Sequence, residues 1–166
     1  MQRPPLPFST LGPPLEPSVI DQFEAHWRVH IPDPYRAFLL RANGAELALP
    51  IFHYRRSPQG RIREGSIHAL FSINHENAMM DLGEHVHTYI VWSRRIPYDL
   101  FPIGTDTGSN LILMGDVGPR LSQIFYWIHD FEASDGEPPT ERNVYPVSNS
   151  LDEFLASLKP FLTTVK

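Results

Sequence analysis

The side chains here that could do chemistry are carboxylates, histidines and serines, because the 166-residue chain has no cysteine. That absence excludes disulfides, thiolate zinc sites, iron–sulfur ligation and a cysteine nucleophile. Asp106-Thr107-Gly108-Ser109 sets one carboxylate in a tight polar string. Two such carboxylates sharing a proton can activate water, and a chain with a single copy would have to act as a homodimer. Eight histidines raise the question of a metal. His85 and His87 would share a face on a strand and could be joined by His129-Asp130, but on a helix they diverge by about 200°. No His-Glu-x-x-His string exists, since His75-Glu76 is followed by Asn77-Ala78-Met79. Ser109 and Ser122 lie in turn-like sequence and not in a Gly-x-Ser-x-Gly elbow. Gly104 to Gly108 lacks the Gly-Lys-Ser/Thr of a phosphate loop, and no dinucleotide fingerprint is present.

The Asp-Thr-Gly-Ser string is similar to that of aspartic proteases, but its surroundings are not. In those enzymes the aspartate follows apolar strand residues, whereas Asp106 follows Gly104-Thr105. They also need a later aliphatic-aliphatic-glycine element. Gly118 follows Asp116-Val117 and Gly136 follows Ser134-Asp135, so neither supplies one. Asp, Thr, Gly, Ser and Asn are the residues that build turns. The expectation is therefore a turn, with no catalytic residue, no cofactor and no metal. A hydrolase using Asp106 or a His/Asp metal site is a remote alternative.

Charge is more informative. The formal net charge is −5 and the pI near 5.9, which argues against coating nucleic acid by charge alone. Residues 55–63 carry Arg55, Arg56, Arg61 and Arg63 with no acid. A solvated hairpin tip explains them, and a phosphate site is the other reading. Residues 130–141 carry Asp130, Glu132, Asp135, Glu137 and Glu141 with no base, interleaved with Phe131, Gly136, Pro138 and Pro139. This stretch is long for a hairpin loop, and long loops in compact domains are often functional. It reads either as a solvated connection or as an acidic surface that steers a basic protein partner. Those five acids are the candidate partner-binding residues.

The elements that must position these groups follow from pattern. Six of the seventeen prolines fall in residues 1–17, which read as an extended lead ahead of a single domain over 18–166. Ser18 to Asp21 predicts a helix start, with Val19, Ile20, Phe23 and Trp27 on one face and a stop before Pro32. Asp33 as N-cap and Pro34 as first helical residue predict a second helix ending at Asn43-Gly44. Strands are expected over 47–53 and 67–73, and a helix over 77–92. Short apolar runs at 100–103, 111–114 and 124–128, separated by turn residues, predict successive antiparallel strands, with an edge strand at 144–147. Ser150-Leu151-Asp152-Glu153 is a capping box that opens a closing helix. Helices, then strands, then a helix give an α+β class. No run of about 20 apolar residues could span a membrane. Early prolines interrupt any signal-peptide core, so a cytoplasmic location is expected.

In order, the strings resemble the SUKH superfamily of the Smi/Knr type. Ile31-Pro32-Asp33-Pro34-Tyr35-Arg36-Ala37-Phe38-Leu39, running into Asn43-Gly44, is similar to its helical opening. Phe101 to Asn110 is similar to its Ile-Gly-x-Asp-x-Gly-Gly-Asn/Asp hairpin, Ile124 to Asp130 to its strand ending in His-Asp, and Ser150-Leu151-x-x-Phe154-Leu155 to its last helix. The resemblance covers about residues 18 to 162. Ser109 stands where the second glycine of the hairpin is usual, and the 130–143 stretch is longer than the family pattern. The resemblance implies an α+β fold with a mostly antiparallel sheet flanked by N-terminal and C-terminal helices, and no catalytic residues. Many bacterial members are immunity proteins that occlude a cognate toxin, often a nuclease or deaminase; fungal relatives are scaffolds in cell-wall signalling. The implied function is thus a non-enzymatic immunity protein with a protein partner, no direct nucleic acid and no membrane. An intracellular scaffold, recognising partners through the Pro-rich lead, is the alternative.

Overall fold

Apolar runs too short for helices become the sheet, and the capped amphipathic runs become the helices beside it. The computed structural model describes residues 7–162. In chain order the elements are β1 (Phe8–Leu11), α1 (Pro17–Trp27), α2 (Asp33–Arg41), β2 (Ala45–Leu47), β3 (Ile51–Tyr54), β4 (Arg63–Ser66) and β5 (Ala69–Leu70). Then come α3 (Leu82–Val86), β6 (Leu100–Thr105), β7 (Leu111–Gly115), β8 (Ile124–Trp127), β9 (Val144–Ser148) and α4 (Leu151–Ser157). Seven strands form one antiparallel sheet in the order β1-β2-β5-β6-β7-β8-β9, and β3 with β4 forms a separate two-stranded ribbon. The α+β class with a mostly antiparallel sheet is therefore observed.

Every residue of β6, β7 and β8 is buried, so both faces of the sheet's centre are covered. Neighbours on a strand point to opposite faces, and β8 shows what covers each. Tyr126 meets the ribbon, edge-on to Phe52 and Tyr54 with both ring centroids at 5.1 Å, while Trp127 meets Tyr89 at 5.5 Å. Helix α4 closes the ribbon side, where Phe154 lies 5.6 Å from Phe52. Helix α2 is pinned on the other side by Tyr35, whose hydroxyl donates to the Phe71 carbonyl at 2.5 Å.

Several expected boundaries are corrected. The cap position of helix α1 falls two residues early, on Glu16, with Pro17 in the first turn. Ser18 makes no cap, because proline's fixed φ already sets the first helical turn. Asp33 lies inside the first turn of α2 rather than at its N-cap, where its charge still faces the positive helix end. The left-handed turn after α2 falls on Gly44, at φ 77°, where a Cβ would come within 2.1 Å of Ser72 Oγ.

The lead over 1–17 is corrected over 8–11. Between Pro7 and Pro13 the chain is free of proline long enough to pair with β2, and Phe8 packs 6.1 Å from Phe38. The first six residues of that lead lie outside the described residues. The strand expected over 47–53 is split by Pro50 into β2 and β3. Of residues 67–73 only Ala69–Leu70 is ladder, because Ile67 N–H goes to the Pro50 carbonyl and Ser72 N–H to Met80.

The helix expected over 77–92 begins only at Leu82. Asp81 is the N-cap, accepting from Glu84 N–H at 3.1 Å and from His75 N–H at 2.8 Å, and Asn77 to Met80 form a turn. From His87 to Trp92 the helix widens to π-type hydrogen bonding. Such wide turns are rare and cluster at functional sites.

Candidate protein-binding surface

The β6–β7 hairpin is built around Asp106, which is buried. Its Oδ1 accepts from Gly108 N–H at 2.7 Å and Asn110 N–H at 2.9 Å, folding residues 106–110 into a turn. Its Oδ2 accepts from Asn110 Nδ2 at 2.8 Å and from the Tyr126 hydroxyl at 2.7 Å. Asn110 Oδ1 in turn accepts from His129 N–H at 3.0 Å, so the network reaches the start of the acidic stretch. Burial, followed by this bond to Asp106, pushes the Tyr126 hydroxyl well above the ordinary phenol range. With four donors on its two oxygens, Asp106 is a turn-former that joins the hairpin to β8. Ser109 takes φ 65°, the left-handed conformation that glycine would adopt without strain.

The histidines do not converge. His85 stacks on Phe71 with centroids 3.9 Å apart, and its Nε2 lies 3.0 Å from the Met79 carbonyl. Burial pulls its pKa below the usual imidazole value. His87 instead stacks on Trp92 at 5.9 Å and packs at a tilt against Trp27 at 5.7 Å. Among the described residues no three His, Asp or Glu side chains are placed to hold a metal ion.

The acidic stretch is a strapped loop and not a free one. A 3-10 turn over His129–Phe131 starts it, and the carbonyls of Phe131 and Glu132 accept from Arg142 Nε at 2.9 Å and Nη2 at 2.8 Å. Glu132 forms a two-point pair with Arg95, Nε to Oε2 at 2.8 Å and Nη2 to Oε1. Glu141 is held by Arg120 at 2.8 and 3.1 Å, and the same guanidinium grips Asp99 at 2.8 and 2.6 Å. The Arg120 bond holds the Asp99 carboxyl below its ordinary range, and the two acids raise Arg120 further above its own.

Of the five predicted acids, two are thus neutralised internally. Asp130, Asp135 and Glu137 remain exposed, Asp130 with His129 Nδ1 at 3.3 Å. Sequence reasoning missed Arg95 and Arg120 because both are distant in the chain. Arg142 had a signal, since it directly follows Glu141. It also missed Trp92, which is 79% exposed and lines a shallow cavity of about 360 Å3 with Thr88, Ser93, Arg95 and Asp135. An exposed tryptophan beside a preset acidic loop has the composition of a protein-interface anchor. No helix among the described residues is long and apolar enough to cross a membrane.

Comparison with known proteins gives one family. The model described as SMI1 / KNR4 family (SUKH-1) matches residues 14–157. No curated protein gives a significant match. The match takes in α1 through α4, including the Asp106 hairpin and the whole strapped loop. With most of its length covered, the chain belongs to the SMI1 / KNR4 family (SUKH-1).

Proposed function

We propose that this protein is a non-enzymatic binding protein of the cytoplasm that neutralises a toxin domain by stoichiometric occlusion. The observation that carries the reading is the strapped acidic loop. Arginines at both ends fix it, so little ordering cost falls on association, and Asp130, Asp135 and Glu137 are left to face a partner. A toxin acting on nucleic acid has a basic groove, and these acids suit it. Trp92, beside Asp135, supplies the apolar anchor that charge alone lacks. Asp106 has its oxygens filled by turn and tyrosine donors, which supports a structural role for it over a hydrolytic one.

The test is co-expression with nuclease and deaminase toxin domains from the genomic neighbourhood, read as rescue of host growth and as a 1:1 complex in solution. The triple reversal Asp130→Lys, Asp135→Lys, Glu137→Lys is expected to weaken the complex by at least about 100-fold and flatten its salt dependence. Rescue and salt slope unchanged in the triple variant would refute the acidic-face mechanism.

A further inference from the structure

A second surface, of opposite charge, lies between the β3–β4 ribbon and strand β9. There Tyr54, Ile62, Tyr145 and Val147 line a groove of about 530 Å3 together with Arg55 and Arg56. The size is that of a small-ligand or short-peptide cleft, not of a flat domain interface.

Its charge is uncompensated. Arg36, Arg95 and Arg120 each pair with carboxylates, whereas Arg55, Arg56, Arg61 and Arg63 have none at ion-pair distance among the described residues. Of the acids nearby, Glu64 lies 3.6 Å from His53 and Glu132 is held by Arg95. Asp130, next to Phe131, is exposed with His129 Nδ1 at 3.3 Å and is not at ion-pair distance from either groove arginine. Both groove arginines are nevertheless positioned. The Arg56 guanidinium sits 5.1 Å over the Phe131 ring and 5.7 Å from that of Tyr145. Arg55 donates to the Gly60 carbonyl, closing the 57–60 turn that Gly60 N–H also bonds at 2.9 Å. A guanidinium laid on aromatic rings keeps its in-plane N–H donors free for a carboxylate.

The walls explain how a segment would be held. Tyr54 is backed by Tyr126 at 5.1 Å, so this wall rests on the Asp106 network. Strand β9 ends the sheet, but Pro146 removes a backbone donor from it. An edge interrupted in this way resists continuous strand addition, which leaves side-chain contacts to do the recognition.

We propose that this groove binds a short acidic segment of a partner protein. An apolar or aromatic side chain inserts between Tyr54, Tyr145 and Ile62, and flanking carboxylates pair with Arg55 and Arg56. The inference is independent of the toxin reading, since the acidic loop cannot serve an acidic segment.

The probe is a fluorescein-labelled peptide, Gly-Glu-Asp-Phe-Leu-Asp-Glu-Gly, titrated against the full chain by anisotropy. Controls are a version with lysine for every acid, a version with alanine for Phe and Leu, and a single-stranded oligothymidylate of equal charge. The acidic-apolar peptide is expected to bind at least about tenfold tighter than each control. Arg55→Gln with Arg56→Gln should remove about tenfold of that affinity, and Ile62→Ser about threefold. The reversal of Asp130, Asp135 and Glu137 should not weaken it. Equal binding of the lysine peptide would overturn the proposal, and so would equal or tighter binding of the oligonucleotide, which would mark a general polyanion site. A preference that survives the double arginine variant would overturn it as well. Because all three substituted side chains are exposed, loss of binding in these variants reads out recognition and not folding.

Discussion

Replacing Asp106 by alanine removes four acceptor contacts at once, and the structure allows their worth to be worked out. Two come from backbone N–H groups of a half-exposed turn, at 2.7 and 2.9 Å. Water can reach that turn and compete for both partners, so these count as ordinary net hydrogen bonds, below the range for bonds to a buried charge, at roughly 1 kcal/mol each. The Tyr126 hydroxyl, on a residue only 6% exposed, is left without its acceptor, which costs about 1–2 kcal/mol. Asn110 loses the acceptor that aims its other end at His129, adding about 0.5–1 kcal/mol. The expected loss is about 4 kcal/mol, read as a lower urea midpoint with unchanged slope or a fall in Tm of about 8–16 °C. Asp106→Asn keeps the acceptor for the two backbone donors but can set an amide N–H against Asn110 Nδ2, so it should lose about 2 kcal/mol. A loss below about 1 kcal/mol for the alanine variant would refute the view that this carboxylate organises the hairpin.

Two further outcomes are expected. Ser109→Gly removes left-handed strain while adding freedom to the unfolded chain, for a net gain of about 0.5–1 kcal/mol; a lower Tm would contradict it. Burial holds the His85 pKa below that of the unfolded chain, so below about pH 6.5 the unfolded state binds the extra proton. The His85 contribution is therefore complete above that pH and is lost as pH falls toward the folded pKa. His85→Gln should flatten the stability curve in that window relative to the parent, measured by urea midpoints from pH 7.5 to 5.

Much of the fold was legible because its determinants are local. Asp33-Pro34 marks the first turn of α2, Ser150 caps α4 by accepting from Glu153 N–H at 3.1 Å, and the three central strands match apolar runs between turn residues. What escaped depends on residues far apart in the chain. Strand β1 exists because Phe8 to Leu11 finds Ala45–Leu47, and the proline count around it concealed that partner. Pro50 split a run whose composition was uniformly strand-like. At the candidate site the five acids were visible, but their inequality was not. Glu132 and Glu141 answer to Arg95 and Arg120, about 37 and 21 residues away, distances at which no periodicity operates.

The ribbon is fastened to the rest of the molecule by a reciprocal backbone pair, Ile51 N–H to the Lys159 carbonyl and Lys159 N–H to the Ile51 carbonyl, both at 3.0 Å. During synthesis, then, the clasp waits for its far half. At about 5–20 residues per second the ribosome needs on the order of 5–20 s to travel from one partner to the other. Throughout that interval Phe52, whose ring is later sealed by Phe154, has no cover on that side. The nascent chain thus lacks the cover for this aromatic ring until nearly all of the described polypeptide has been made.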